Sequence, residues 1–548
     1  MTMIRAMTMR SRRMTVPRKR HHISSRKPKT RKLAFKPKLN FLTEPLLEFQ
    51  FAQQLAYPRD GLFLYGPVGD ANELKAIRYG VIGTPEGIER FRSWSKAVAN
   101  FIATPTPGPR SRAVEPQHVP FPGFEEAFHA HWPAEPAQII SDVTADSINK
   151  TLKLENRHEA IRSTVDLFVS RLIKENNRLE HPPAFWFVVI PEVVYELGRP
   201  KSVVRKADRI AGDVHITQKK ARALKIQPTL FGEDEREAEV YQYATHFRRQ
   251  LKARLLKDKI VTQIVRETTL TPEAFRHENG RLIRRVEDPA TLAWKLCTGA
   301  YYKAGGRPWQ LANVRPGVCY VGLVYKRSEL TTDKRHACCA AQMFLTNGDG
   351  IVFRGALGPW FQTDTKQFHL DGDAAKSLIE MVVSEYRNAH NGKPPSELFI
   401  HAKSAFTDPE WEGFQKGCSP ESNLVGVQIA DTRDELKLFR PGAYPVIRGT
   451  ALQISERVAY LWTSGYVPRL DTYMGPETPN PISVRVIRGE CPLEVVLQDV
   501  MGLTKINFNS CLFNDRLPVT IRFANAVGDI LIAAPMDSEP RLPFKFYI

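Results

Sequence analysis

The run Phe185-Trp186-Phe187-Val188-Val189-Ile190 constrains this chain more than any other stretch. Six consecutive apolar side chains, aromatic and β-branched, suit a strand buried on both faces, as in a parallel sheet covered by helices. Pro191 follows directly, where a proline best opens a helix, and Val194 and Leu197 continue that helix. Upstream, Ile161, Val165, Phe168 and Leu172 recur at spacings of 4, 3 and 4, the stripe of an amphipathic helix. Helix, buried strand, helix is the opening of a doubly wound α/β layer. A second buried strand is expected at Ile260-Val261-Thr262-Gln263-Ile264-Val265, interrupted by its polar pair. Asp288-Pro289 then starts a helix and Gly305-Gly306 stops it, so one domain spans about 151 to 310.

Beyond Pro316 the pattern turns strand-rich. Val318 to Tyr325, Ala337 to Leu345 and Ile351 to Arg354 read as strands, the last two joined at Asn347-Gly348-Asp349-Gly350, a hairpin signal. Asp371-Gly372-Asp373 introduces a helix through Leu378, Val382 and Tyr386, and Glu397-Leu398-Phe399-Ile400-His401 is the next strand. Three meandering strands, a helix and a returning strand is a ribonuclease H-like order, one that many α/β folds contain. It defines a second domain, 311 to 548. Before the first domain, residues 44 to 150 read as a lead-in of short extended pieces and a linker marked by Pro105, Pro107, Pro109, Pro116, Pro120 and Pro122. A long basic connection, with nine Lys or Arg from Arg199 to Lys225, lies inside the first domain.

The net charge of +19 on 548 residues suggests a polyanion partner until it is located. Residues Met1 to Thr43 hold 14 Lys or Arg and no acid, which leaves 64 basic against 59 acidic residues, a net +5, beyond them. Residues 1 to 43 are therefore expected to be a basic disordered arm that binds polyanions non-specifically. An organelle transit peptide is the other reading of an Arg-rich, acid-free start, and the crowding of Met1, Met3, Met7, Met9 and Met14 leaves open a start further in. No signal-peptide h-region and no run of about 18 apolar residues appears, so a cytoplasmic, non-membrane protein is expected. Seven cysteines without a Cys-x-x-Cys pair fit a reduced protein lacking structural zinc, with Cys338 and Cys339 as buried core thiols.

Familiar catalytic motifs are missing. Gly66-Pro67-Val68-Gly69-Asp70 lacks the Lys-Ser/Thr ending of a phosphate loop and is read as a turn. The informative set is Tyr195, Arg199, Gln263 and Lys303. Tyr195 and Arg199, four apart, share one face of the helix after the buried strand; Gln263 leaves the second strand and Lys303 sits in the last turn of the second helix. Brought together, hydroxyl, guanidinium, amide and ammonium form a donor pocket for a phosphate monoester, while each alone is an ordinary surface or capping residue.

The Tyr-x-x-x-Arg pair, Thr262-Gln263 and Tyr302-Lys303-Ala304-Gly305-Gly306 resemble the guide 5′-phosphate pocket of the MID domain of Argonaute proteins. The resemblance continues into a PIWI domain through Tyr320-Val321-Gly322-Leu323, Phe353-Arg354-Gly355, Glu397 to His401, Leu503-Thr504-Lys505-Ile506-Asn507 and Leu517 to Ala524. It covers roughly residues 150 to 548, and Leu42 to Phe49 resembles the lead-in of short prokaryotic Argonautes, which lack the N and PAZ domains. The fold so implied is α/β: a Rossmann-like MID domain, then a ribonuclease H-like PIWI domain, after a small N-terminal extended region. Tyr195 would contact the first guide nucleotide, and Arg199, Gln263 and Lys303 its phosphate; Arg199 stands where many members carry Lys. In related members a divalent cation joins that phosphate to the C-terminal carboxylate, which makes Ile548 the candidate metal contact and Mg2+ the expected ion.

The same resemblance implies lost slicing. A PIWI nuclease holds two metal ions with carboxylates, whereas Val324 and Ala402, followed by Lys403, stand at the corresponding positions. The implied function is guide-dependent recognition, with RNA favoured as guide and single-stranded DNA as target. An APAZ-containing effector in a heterodimer would act in prokaryotic defence against plasmids or phage. The alternatives are a guide-dependent endonuclease built on Asp349, Glu380 and Asp529, and a protein that binds nucleic acid through its tail alone.

Overall fold

The computed structural model of the chain describes residues 35–548 apart from 70–73, 106–116, 227–231, 314, 328–336, 345–349, 359, 365, 433–434, 474, 476 and 536–540. Most of the expected basic arm, the turn residue at 70, the hairpin at 347–349 with the alternative carboxylate at 349, and the side chains of the paired cysteines 338 and 339 lie outside the described residues.

Phe185–Ile190 is a strand buried at every position, inside a parallel four-stranded sheet. Its neighbours are Tyr79–Ile82 and Thr262–Arg266, and Gln138–Ile140 forms the far edge. The strand's twofold alternation splits the apolar run between two cores. Trp186, Val188 and Ile190 pack with Ile161, Val165, Phe168 and Leu172 of helix Arg157–Arg178. Phe185, Phe187 and Val189 face the opposite layer with Phe91 and Trp94 of helix Pro85–Val98 and Trp294 of helix Pro289–Ala304. A run with no polar face is thus what a doubly covered strand requires. Helix ends follow local chemistry: Asp288 accepts from Thr291 N at 2.9 Å, and Gly305 stops the helix at φ 109°.

Two of these four strands, Tyr79–Ile82 and Gln138–Ile140, come from the 44 to 150 stretch expected to be lead-in and linker. The first is four residues long and contains Gly80, whose missing side chain admits Trp186; a Cβ there would meet the indole at 2.5 Å. A strand this short, with a glycine chosen for close approach, carries little periodicity. The basic connection after Arg199 likewise holds structure, helices Gln218–Ile226 and Gly232–Glu239, with Ile216, Ala221, Val240 and Tyr241 in a small core of their own.

The second sheet has ten strands among the described residues. Val318–Lys326, Ala337–Phe344 and Gly350–Gly358 meander antiparallel, helix Gly372–Ala389 crosses over, and Glu397–Ala402 returns parallel to the first with His401 opposite Gly322. Helix Val519–Leu531 then presses on the first strand: a Cβ on Gly322 would lie 1.9 Å from Thr520 O. Residues 38 to 41, inside the segment expected to be a disordered arm, form an exposed edge strand pairing with Thr450–Ser455. Next to it Glu44 reaches Arg448 and Lys505, both almost fully buried, and fastens the lead-in to the second sheet.

A single core runs through both sheets, from Tyr79, Phe187 and Trp294 to Tyr320, Val427 and Ile482. The final residues, Tyr547 and Ile548, are buried in it. The carboxyl end of the sequence therefore reaches the first sheet. No helix among the described residues is long and apolar enough to cross a membrane.

Candidate anion-binding site

In open parallel sheets the carboxyl ends of the strands are where loops and helix starts converge. Phe185–Ile190 gives way at Pro191 to the six-residue helix Glu192–Leu197, which carries Tyr195. Arg199 does not share this helix, contrary to the expectation of one common face. Gly198 ends it, packed so closely that a Cβ would meet Val194 O at 2.3 Å, and Arg199 folds back from beyond the end. Its Nε donates to Tyr195 O at 2.8 Å and its guanidinium lies over the Tyr195 ring at 3.5 Å. Arg266, from the neighbouring strand, lies over the same ring at 3.8 Å and pairs with Glu192 at 2.9 Å.

Tyr195, Arg199, Gln263 and Ile548 line one cavity of about 480 Å3. Lys303 stands just behind it, fully buried, with Nζ 3.4 Å from Oδ1 of Asn509, a lining residue. Gly299, one turn before Lys303, leaves room here: a Cβ on it would be 3.7 Å from Gln263 Oε1, 3.8 Å from Asn509 Oδ1 and 4.0 Å from Lys303 Nζ. The structure therefore brings the sequence-derived set together, with Asn509 as the link to Lys303.

Helix Phe247–Leu255 adds what the sequence reading passed over: Arg248 and Lys252, one turn apart, with His246 at its start. Lys252 Nζ donates to Ile548 O at 2.6 Å and to Thr262 O at 2.9 Å. Burial, Lys303 and Arg248 hold its ammonium well below the usual lysine range. Burial and Arg248 push Lys303 down to about 7, and burial with Arg249 and Arg248 takes His246 to about 4. No Asp or Glu lines the cavity. Buried ammonium groups without carboxylate partners are costly, and an anion with several acceptor oxygens relieves that cost while pairing with the guanidiniums. The charge and the donors gathered here match those of a phosphate-like group.

The expected magnesium meets a different environment. The Ile548 oxygen assigned to it is already taken by Lys252, and among the described residues no three His, Cys, Asp or Glu side chains gather to hold a metal. A hard dication prefers several oxygen ligands; this cavity offers the oxygens of Gln263, Asn509 and Ile548 set among ammonium and guanidinium groups.

A larger opening, about 940 Å3, lies toward the amino end of helix Pro289–Ala304, between Tyr57, Arg285, Thr291, Tyr473 and Phe513. Arg59 on its wall is consumed internally, donating to Cys511 O at 3.0 Å and Thr291 Oγ1 at 3.1 Å. In the second sheet, Val324 and the buried Ala402 stand on the neighbouring parallel strands at their carboxyl ends. Of the alternative carboxylates, Asp529 is bridged by Arg249 at 2.7 Å and Lys326 at 2.8 Å, and Glu380 sits exposed beside Lys376.

Fold and site together define an α/β protein with two principal sheets and a cation-lined cavity beside Ile548. No known family profile matches the chain. The protein argonaute of Aquifex aeolicus (strain VF5) is 23% identical over 287 residues, which is 52% of this chain and 35% of that protein. Among solved structures, Clostridium butyricum Argonaute bound to a guide DNA (5′ deoxycytidine) and a 19-mer target DNA superposes with a TM-score of 0.57 at 15% identity, over 93% of this chain and 55% of that one. Aquifex aeolicus Argonaute with externally bound siRNA gives 0.54 at 15% identity, over 93% and 56%. The chain has the Argonaute fold, and it spans about half the length of these solved Argonautes.

Proposed function

We propose that this chain binds a small guide nucleic acid by its 5′-phosphate and uses it to recognise a complementary strand. The observation that carries the reading is the cavity that gathers Arg199, Arg248, Lys252 and Gln263 at the strand ends, with Lys303 behind Asn509 and no carboxylate side chain in the lining. A terminal phosphate answers that set with charge and acceptor oxygens, and base pairing then reads sequence while the protein holds backbone and duplex shape. Tyr195 supplies the ring beside the first nucleotide. RNA is the favoured guide and single-stranded DNA the favoured target.

The second sheet is proposed to hold the duplex without cutting it. What supports this reading is that Val324 and Ala402 carry no group that ligates a metal ion and that Asp529 is already paired with two cations. We take the chain to be a short Argonaute that signals target capture to an APAZ-containing effector protein in the cytoplasm, in defence against plasmids or phage. The test is capture of labelled single-stranded DNA by guide-loaded protein in magnesium. The reading expects retention of the complementary strand only, recovered at full length; equal retention of a scrambled strand would overturn guide dependence, and cut product would overturn inactivity.

A further inference from the structure

Of the pocket groups that the resemblance gives no role, Lys252 alone, among the described residues, holds the Ile548 oxygen assigned to the expected metal ion. Lys252 enters from helix Phe247–Leu255, is 2% exposed, and its Nζ makes three short approaches: Ile548 O at 2.6 Å, Thr262 O at 2.9 Å and Thr262 Oγ1 at 3.4 Å. One of these is the Thr262 carbonyl and one the carboxyl group of the last residue, so the ammonium is held in place, and the residue lines the same cavity as Arg199 and Gln263. Thr262 is 1% exposed and Ile548 4%, so the Lys252 head is screened from bulk water except through the cavity, where no Asp or Glu competes for it.

A divalent cation joining Ile548 to a phosphate would have to share the carboxyl group of the last residue with Lys252, whose ammonium holds one of its oxygens at 2.6 Å. Placing a dication beside that ammonium, with Lys303 and Arg248 nearby, adds repulsion, and the terminal carboxyl group and the phosphate are then the only anions left to offset it, since no Asp or Glu lines the cavity. An ammonium is a compact cation with three donor directions. It joins one acceptor oxygen to another without the octahedral shell that magnesium demands.

We infer that Lys252 takes over the linking role of the metal: its ammonium connects the Ile548 oxygen to the guide 5′-phosphate, and the phosphate anchor of this protein works without a divalent cation. The inference rests on the proposed guide function and refines it at one residue.

The test is equilibrium binding of matched 5′-phosphorylated and 5′-hydroxyl guides to the full chain, in magnesium and in EDTA at equal ionic strength. Each hydroxyl guide controls for the screening of backbone contacts. The inference expects the ratio of the two affinities to agree within about twofold between the buffers, since no bound ion is removed, and Lys252→Met to lower that ratio about tenfold or more in EDTA, the weight of one charge-assisted contact. With the ammonium gone, added magnesium or manganese is expected to recover part of the loss in the variant alone. Loss of the wild-type preference in EDTA, regained with magnesium, would overturn the inference and leave guide anchoring intact. A Lys252→Met protein that melts like the wild type and keeps its full preference in EDTA would overturn it as well. Equal affinities for both guides in both buffers would remove the guide reading itself. Should the variant not fold, the wild-type comparison of the two buffers still decides.

Discussion

Two sets of buried charge in this molecule have opposite fates. Around Glu44 the charges are settled within the protein: Arg448 and Lys505 both reach its carboxylate, at 2.9 Å and 2.7 Å, and Lys505 also lies 3.9 Å from the centre of the Phe513 ring. Around Ile548 they are left unsettled, with Lys252 and Lys303 buried, Arg199 and Arg248 lining the same cavity, and no acidic side chain among them. The first arrangement holds a segment in place. On the proposed function, the second gives up stability to keep a site open for an anion, because buried lysines with no acidic side chain beside them are costly until something pairs with them. Proximity of cations alone does not define a binding site; cations gathered without an acidic side chain do.

Breaking the settled cluster should have the largest effect. Glu44→Ala leaves two buried cations without their carboxylate and is expected to lower unfolding stability by about 3 kcal/mol, at the low end for a broken buried pair because Glu44 is partly exposed. Denaturant titration checks this, and guide preference in the surviving folded fraction should stay unchanged. In the unsettled cluster the reverse is expected. Arg199→Ala combined with Lys303→Ala should weaken 5′-phosphorylated guide about a hundredfold, two charged hydrogen bonds at about 1.5 kcal/mol each, while hydroxyl guides change little and the melting temperature holds or rises.

The pH dependence sharpens the contrast further. Lys303 is held down to about 7 without ligand, and a bound phosphate favours its protonated form, so binding takes up a proton above that pH. Phosphate preference should therefore fall as pH rises from 7, by up to about tenfold per unit, with a flat profile for the hydroxyl guide and a lost slope in Lys303→Ala. The sign for stability is opposite. Between about 7 and 10.5 the unfolded chain carries the Lys303 proton and the folded chain does not, so the unliganded protein gains stability with rising pH across that window. The smallest effect belongs to Asp529→Asn, which releases Arg249 and Lys326 at a partly exposed position and should cost about 1 kcal/mol or less in a thermal or chemical melt, with no change in guide preference.

Legibility of the sequence followed the range of the forces involved. Phe185–Ile190 and the meander-helix-return order of the second sheet could be read because burial on both faces, or alternation, is written into consecutive residues. Tyr79–Ile82 could not, because four residues with a packing glycine leave no periodic trace, and its strand identity depends on Trp186 more than a hundred positions away. Tyr195, Arg199, Gln263 and Lys303 were read as a donor set from their residue types, their roles and Ile548 came through the resemblance, and the structure gathers all five about one cavity. Lys252 was invisible for a physical reason. It lies in a basic stretch that reads as a solvated helix face, and what buries it is a contact with Ile548, 296 residues further on. The spacing Arg248-x-x-x-Lys252 just before the Thr262–Arg266 strand was the available signal.

The central claim is that the unsettled cations await a terminal phosphate. The most direct measurement is the affinity of the full chain for guides identical except at the 5′ end, phosphate against hydroxyl, in RNA and in DNA, at near-physiological salt. The account predicts a phosphate preference of about tenfold or more that survives deletion of residues 1 to 34. Equal affinity for both ends, falling steeply with salt and vanishing with the arm, would contradict it and leave a protein that holds nucleic acid by charge alone.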